Sequence, residues 1–80
     1  MTNQLKDPGV QASFTNTGKN PSYATAELYY EDQLWAKFGP QDPVIKVNTG
    51  RGHLWRVVVD GDEVQRWIVD RDQGTEAYSI

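Results

Sequence analysis

The 80-residue chain holds one imidazole, His53, and no cysteine. That pair of facts removes most metal and nucleophile chemistry at once. A thiolate zinc site, an iron–sulfur centre, a disulfide framework and a cysteine nucleophile all need sulfur. A histidine-rich metal site needs more than one imidazole. A serine triad would have to bring Ser13, Ser22 or Ser79 to His53, and none of these serines sits on a Gly-x-Ser-x-Gly elbow. Carboxylates adjoin at Glu31/Asp32 and Asp62/Glu63. Neighbours in an extended chain point to opposite faces, so these read as solvated turns rather than proton-sharing pairs. Asp70-x-Asp72-x-Gly74-x-Glu76 has the outline of a calcium loop, but glycine stands fifth, where an oxygen ligand belongs. Gly50-Arg51-Gly52 lacks the lysine and the spacing of a phosphate loop. No catalytic set, metal site or cofactor is expected.

Aromatic residues carry more information. Tyr23, Tyr29, Tyr30, Trp35, Phe38, Trp55 and Trp67 fall within 45 positions. A domain this small cannot bury all of them, so at least one Tyr and one Trp should reach solvent. Exposed aromatics anchor ligands and partners, or else eke out a thin core with their polar tips in water. A single-stranded nucleic-acid platform would add a basic groove. Lys37, Lys46, Arg51 and Arg56 are scattered, and the net charge is -3, so no nucleic-acid partner is expected.

These residues need a scaffold, and its pattern is β throughout. Residues 1–9 are polar, end in Asp7-Pro8-Gly9, and read as a flexible tail. Val10, Ala12 and Phe14 alternate with polar residues, the period of a half-buried strand. Asn16 to Pro21 is rich in turn formers. Tyr23–Tyr30 reads as a strand, with a helix as the competing reading because Ala24, Ala26, Glu27 and Leu28 favour one. Glu31-Asp32-Gln33 breaks it, Leu34–Phe38 resumes, and two prolines make residues 39–43 a loop. Val44–Thr49 forms the next strand. In His53–Val59, residues Trp55, Val57 and Val59 share a face. Asp60-Gly61 is a type I′ hairpin signal. Counting back from it in even register puts Val64, Arg66 and Ile68 on the Trp55 face and Trp67 on the other. Arg66 would then lie over Trp55 or snorkel from the sheet edge. Thr75–Ile80 adds an edge strand. The sum is an all-β fold, an antiparallel β-sandwich of six or seven strands in a single domain, residues 10–80.

Composition agrees. Hydrophobic residues make up 38% of the chain and aromatics 11%, too many for a disordered segment. No apolar run is long enough to span a membrane as a helix. The missing cysteines fit a reducing compartment, so a cytoplasmic location is expected.

Thr49-Gly50-Arg51-Gly52-His53-Leu54-Trp55-Arg56-Val57 resembles the signature of the von Hippel–Lindau β-domain family: a hydroxyl residue, then Gly-His-x-Trp, then a β hairpin. Phe14-Thr15-Asn16-Thr17, Leu28-Tyr29-Tyr30-Glu31-Asp32 and Asp60-Gly61 with Trp67-Ile68-Val69 extend the likeness over residues 10–70. The resemblance implies an antiparallel sandwich that binds rather than catalyses. In that family a serine and a histidine hydrogen-bond the hydroxyl of a hydroxyproline in a partner peptide, a tyrosine bonds its backbone, and tryptophans wall the ring. Position by position, Thr49 falls on the serine, His53 on the histidine and Trp55 on the inner tryptophan. The tyrosine falls near Trp35 or Ala36, the outer tryptophan near Glu27 or Tyr29. The family's helical second domain has no counterpart in these residues.

The expected ligand site is therefore Thr49, His53 and Trp55 beside a recess, with Tyr29, Tyr30 and Trp35 as outer wall. The expected ligand is an extended peptide, hydroxyproline-containing in the family's case, or a small polar molecule. The partner is a protein or peptide, and the chain a monomer or weak dimer. Two other readings stay open. His53 and Trp55 brace the fold, with the imidazole bonded to backbone; or an acidic, aromatic surface covers a partner protein, as in an inhibitor or assembly factor.

Overall fold

A computed structural model describes residues 9–80; the expected tail, apart from Gly9, lies outside the described residues. Seven strands form two sheets. They are β1 (Val10–Thr15), β2 (Ala26–Tyr30), β3 (Gln33–Phe38), β4 (Val44–Thr49), β5 (Leu54–Val59), β6 (Asp62–Ile68) and β7 (Gly74–Ser79). One sheet has the order β4-β1-β7, the other β3-β2-β5-β6. The all-β sandwich is as the alternation in the sequence predicts. All ladders are antiparallel but one: β7 runs parallel to β1, Val10 opposite Gly74 through Thr15 opposite Ser79.

The inner face of the first sheet is Val10, Ala12 and Phe14, fully or nearly fully buried, with Val47 beside them. Facing them are Ala26, Leu28, Phe38, Trp55, Val57 and Val59. Phe14 is the keystone. Its ring lies 5.3 Å from Trp55, 5.5 Å from Trp67 and 5.3 Å from Tyr78, while Trp67 and Tyr78 stack at 4.8 Å. Tilted and offset rings at such spacings add attraction beyond their buried area.

The segment expected as one strand, Tyr23–Tyr30, divides. Pro21–Thr25 is a turn of 3-10 helix, and the strand begins at Ala26. Three local causes act together. Pro21 presets a helical φ at the first position. Asn20 caps the turn by accepting from the Ser22 N–H at 3.0 Å. Buried Asn16 donates from Nδ2 to the carbonyls of Tyr23 (2.7 Å) and Phe38 (3.3 Å) and accepts the Gly18 N–H through Oδ1.

The Asp60-Gly61 turn is as expected, with φ of 52° and 85°. The return strand is not. Val58 pairs with Glu63 and Val57 with Gln65, so Val64 is the extra residue of a β-bulge. A one-residue slip reverses every side chain beyond it. Trp67 therefore sits opposite Trp55 and faces the core, while Ile68 is 63% exposed. Arg66 points outward and ion-pairs with Glu63 at 2.7 Å instead of covering Trp55.

Candidate functional site

The end of the sandwich where β2 and β4 finish and β3 and β5 begin collects most of the predicted residues. Thr49 closes β4 with its side chain inward and nearly buried. The 50–53 loop crosses to the other sheet. It is held by backbone bonds from the Gly52 N–H to the Val69 carbonyl and from the Val69 N–H to the His53 carbonyl. Outside, the Arg51 guanidinium forks onto Asp72 (2.8 Å) and Asp70 (3.1 Å). That hydrogen bond and the charge beside it hold the Asp72 carboxyl below its usual range. Asp70 and Asp72, the outline of a calcium loop, are thus anion partners of an arginine, and Glu76 takes Arg71. Among the described residues no group of three or more acidic, histidine or cysteine side chains is placed to hold a metal.

At the centre stands a relay of three side chains. The Trp55 indole Nε1–H donates to Thr49 Oγ1 at 2.9 Å, and Thr49 Oγ1 lies 3.0 Å from His53 Nδ1. The indole can only donate, so the hydroxyl accepts there and keeps its own proton for Nδ1. With Nδ1 accepting from Thr49, the imidazole N–H is the one on Nε2, for which no described residue is a hydrogen-bond partner. The imidazole is bonded to a side chain, not to backbone.

Trp55 itself is buried, so its ring braces the site from below. The exposed wall is Trp35. Leu28 pairs with Ala36 and Tyr29 with Leu34, leaving Trp35 as the extra residue of a second bulge. Strict alternation would turn it away from Ala36 and the core; the bulge brings it back. Its ring meets Trp55 edge-on at 5.4 Å and Tyr30 at 6.3 Å, and it stays 54% exposed. Tyr30 joins the group, 5.0 Å from Trp55 and 5.3 Å from the His53 ring.

Tyr29 is not brought in. It lies on the outer face of the sheet, paired with Arg56, whose guanidinium sits 5.2 Å from its ring centre. Arg56 continues into an ionic cluster with Glu63 (3.2 Å), which also takes Arg66. The hydrogen bond from Arg66, with that from Arg56 behind it, lowers the Glu63 carboxyl to about 2. All four arginines of the chain are ion-paired to carboxylates. Asn16 is a residue whose role the sequence reading did not foresee, and its place beside Phe14 at a strand end was its only signal.

Trp35, Tyr30 and His53 together form a shelf over the buried Trp55 ring. Two surface hollows of about 610 Å³ lie elsewhere. One is floored by Ala26, Phe38 and Gly39 at the opposite end of β2; the other covers the outer face of the three-stranded sheet at Ser13, Lys46 and Thr75. Neither is lined by Thr49, His53 or Trp55.

Among the described residues no helix is long and apolar enough to cross a membrane. The chain matches no protein-family model, no curated protein and no solved structure.

Proposed function

We propose that the domain is a non-catalytic binding module whose shelf of Trp35, Tyr30 and His53 takes an extended peptide, with a proline or hydroxyproline ring laid on the indole. The observation that carries this reading is the bulge that holds Trp35 half-exposed against Trp55 and Tyr30. A large apolar ring kept in water by a local irregularity is a ready anchor. His53 supports it. With Nδ1 engaged by Thr49, its Nε2–H is left to donate to a hydroxyl or carbonyl on the ligand. The resemblance of Thr49–Val57 to the von Hippel–Lindau β domain points to the same ligand class. A second reading, a surface that covers a partner protein, draws on Leu34 and Ile68, which are exposed along with Trp35.

The test is a heteronuclear NMR titration of the 80-residue chain with two extended peptides, identical but for a central proline or 4-hydroxyproline. Binding to a shallow shelf should give a Kd of roughly 0.1–1 mM, with shifts at the Trp35 indole, Tyr30 and His53. Trp35→Ala should abolish both titrations while leaving the spectrum folded. His53→Ala should weaken the hydroxylated peptide about 5- to 10-fold and the proline peptide little, the worth of one hydrogen bond. Absence of shifts with either peptide at the top of that range refutes the peptide reading.

A further inference from the structure

A sandwich of two open sheets has four edge strands, and three of them are blunted. β3 carries the Trp35 bulge, and β6 the Val64 bulge with Arg66 beside it. β4 begins after Pro43 and carries Lys46 in its middle. Bulges, prolines and lysines are the usual protections of an exposed edge. β7 has none of them.

The parity of the backbone shows what each remaining edge offers. On β7, the Ile80 N–H donates to the Thr15 carbonyl and the Ile80 carbonyl accepts the Thr17 N–H. Ile80 therefore faces β1, as do Tyr78 and Glu76 by alternation, and the backbone groups of Thr75, Ala77 and Ser79 face outward. The Arg71 guanidinium already touches the outward Thr75 carbonyl at 3.3 Å. On β4, the Asn16 N–H donates to the Pro43 carbonyl. The same alternation turns Val44, Lys46 and Asn48 outward.

We infer that the edge of β7, which no strand pairs among the described residues, pairs antiparallel with β7 of a second copy of this chain, about a two-fold axis at Ala77. One register uses every outward group once the Arg71 guanidinium yields the Thr75 carbonyl: Ala77 opposite its own copy, and Thr75 opposite Ser79 of the other. Each of these three pairings exchanges two backbone bonds. The three side chains are small and exposed, so the strands meet flush. On the other face Glu76 stands opposite Tyr78 of the second copy, and no like charges meet directly. The equivalent pairing of β4 about its midpoint would set Lys46 against Lys46, which is unfavourable. Charge therefore selects β7 over β4, and closed two-fold symmetry limits the assembly to a dimer. The product is one continuous sheet, β4-β1-β7 joined to its copy, with both Trp35 shelves left open.

Sedimentation equilibrium of the full chain tests this between about 10 µM and 1 mM, the range suited to a small, polar interface. The expected result is a monomer–dimer equilibrium within that range. Ala77→Pro removes an outward N–H that the native ladder does not use, a position where an edge strand accepts proline. It should weaken the dimer at least ~10-fold, the two central bonds being lost together. If that variant does not fold, Ala77→Lys decides, because it sets two cations across the axis. A chain that stays monomeric at the top concentration overturns the inference. So does a dimer indifferent to the folded variant, or a mass that grows beyond two copies through β4 pairing with β7.

Discussion

Replacing Thr49 by valine isolates the relay beneath the shelf. Valine has nearly the same shape and prefers strands as much as threonine does, so cavity and propensity effects are small. What changes is the Trp55 Nε1–H, which loses its acceptor in a buried position. His53 is only half-buried, so its Nδ1 turns to water at little expense. An unpaired buried donor costs about 1–3 kcal/mol. The whole stability of an 80-residue domain is of order 4–12 kcal/mol, so the loss is a substantial share. A value near 2 kcal/mol lowers the melting temperature by roughly 8–16 °C. With a urea m value of about 1 kcal/mol/M, it moves the unfolding midpoint down by roughly 2 M. Far-UV circular dichroism reads both without depending on any one tryptophan. The control is a double-mutant cycle with Trp55→Phe, which removes the donor. In that background Thr49→Val should cost much less, giving a coupling of about 1–2 kcal/mol. A Thr49→Val protein within ~0.5 kcal/mol of the parent, or a cycle without coupling, refutes the relay.

Two further outcomes follow from the packing and the charges. Phe14→Ala empties the space between Trp55, Trp67 and Tyr78 and should cost about 3–5 kcal/mol, enough to leave much of the protein unfolded at 37 °C by calorimetry. The Glu63 carboxyl titrates near 2 when folded, below the 4.5 of the free group, so its pairing with Arg66 and Arg56 stabilises the fold fully above about pH 4.5. That contribution fades as pH falls toward 2, and Glu63→Gln should flatten the stability profile across this window alone.

Much of the scaffold could be read from residue order. Val10, Ala12 and Phe14 announced a buried strand face by their period of two, and Trp55, Val57 and Val59 did the same. Asp60-Gly61 announced its turn because few residue pairs tolerate positive φ twice in succession. The Thr49, His53 and Trp55 group was singled out only by the resemblance of Thr49–Val57 to the von Hippel–Lindau β-domain signature, not by spacing or periodicity.

The two bulges were not legible. A bulge at Val64 or Trp35 changes no local preference; it is chosen by which side chains best fill the space between two sheets. That space exists only once Phe14 has been placed against Trp55 and Trp67. The consequences are large because the side-chain period is two: Trp67 turned inward, Ile68 and Arg66 outward, and Trp35 back toward Tyr30. Tyr29 shows the converse, since being consecutive with Tyr30 guaranteed opposite faces without saying which one met His53. The parallel pairing of β7 with β1 was equally hidden, because it joins the two ends of the domain and depends on how the intervening strands divide between sheets. Local sequence thus determined where the chain extends and turns. Packing across the sandwich decided which aromatic rings meet, because each face assignment rests on contacts between residues tens of positions apart.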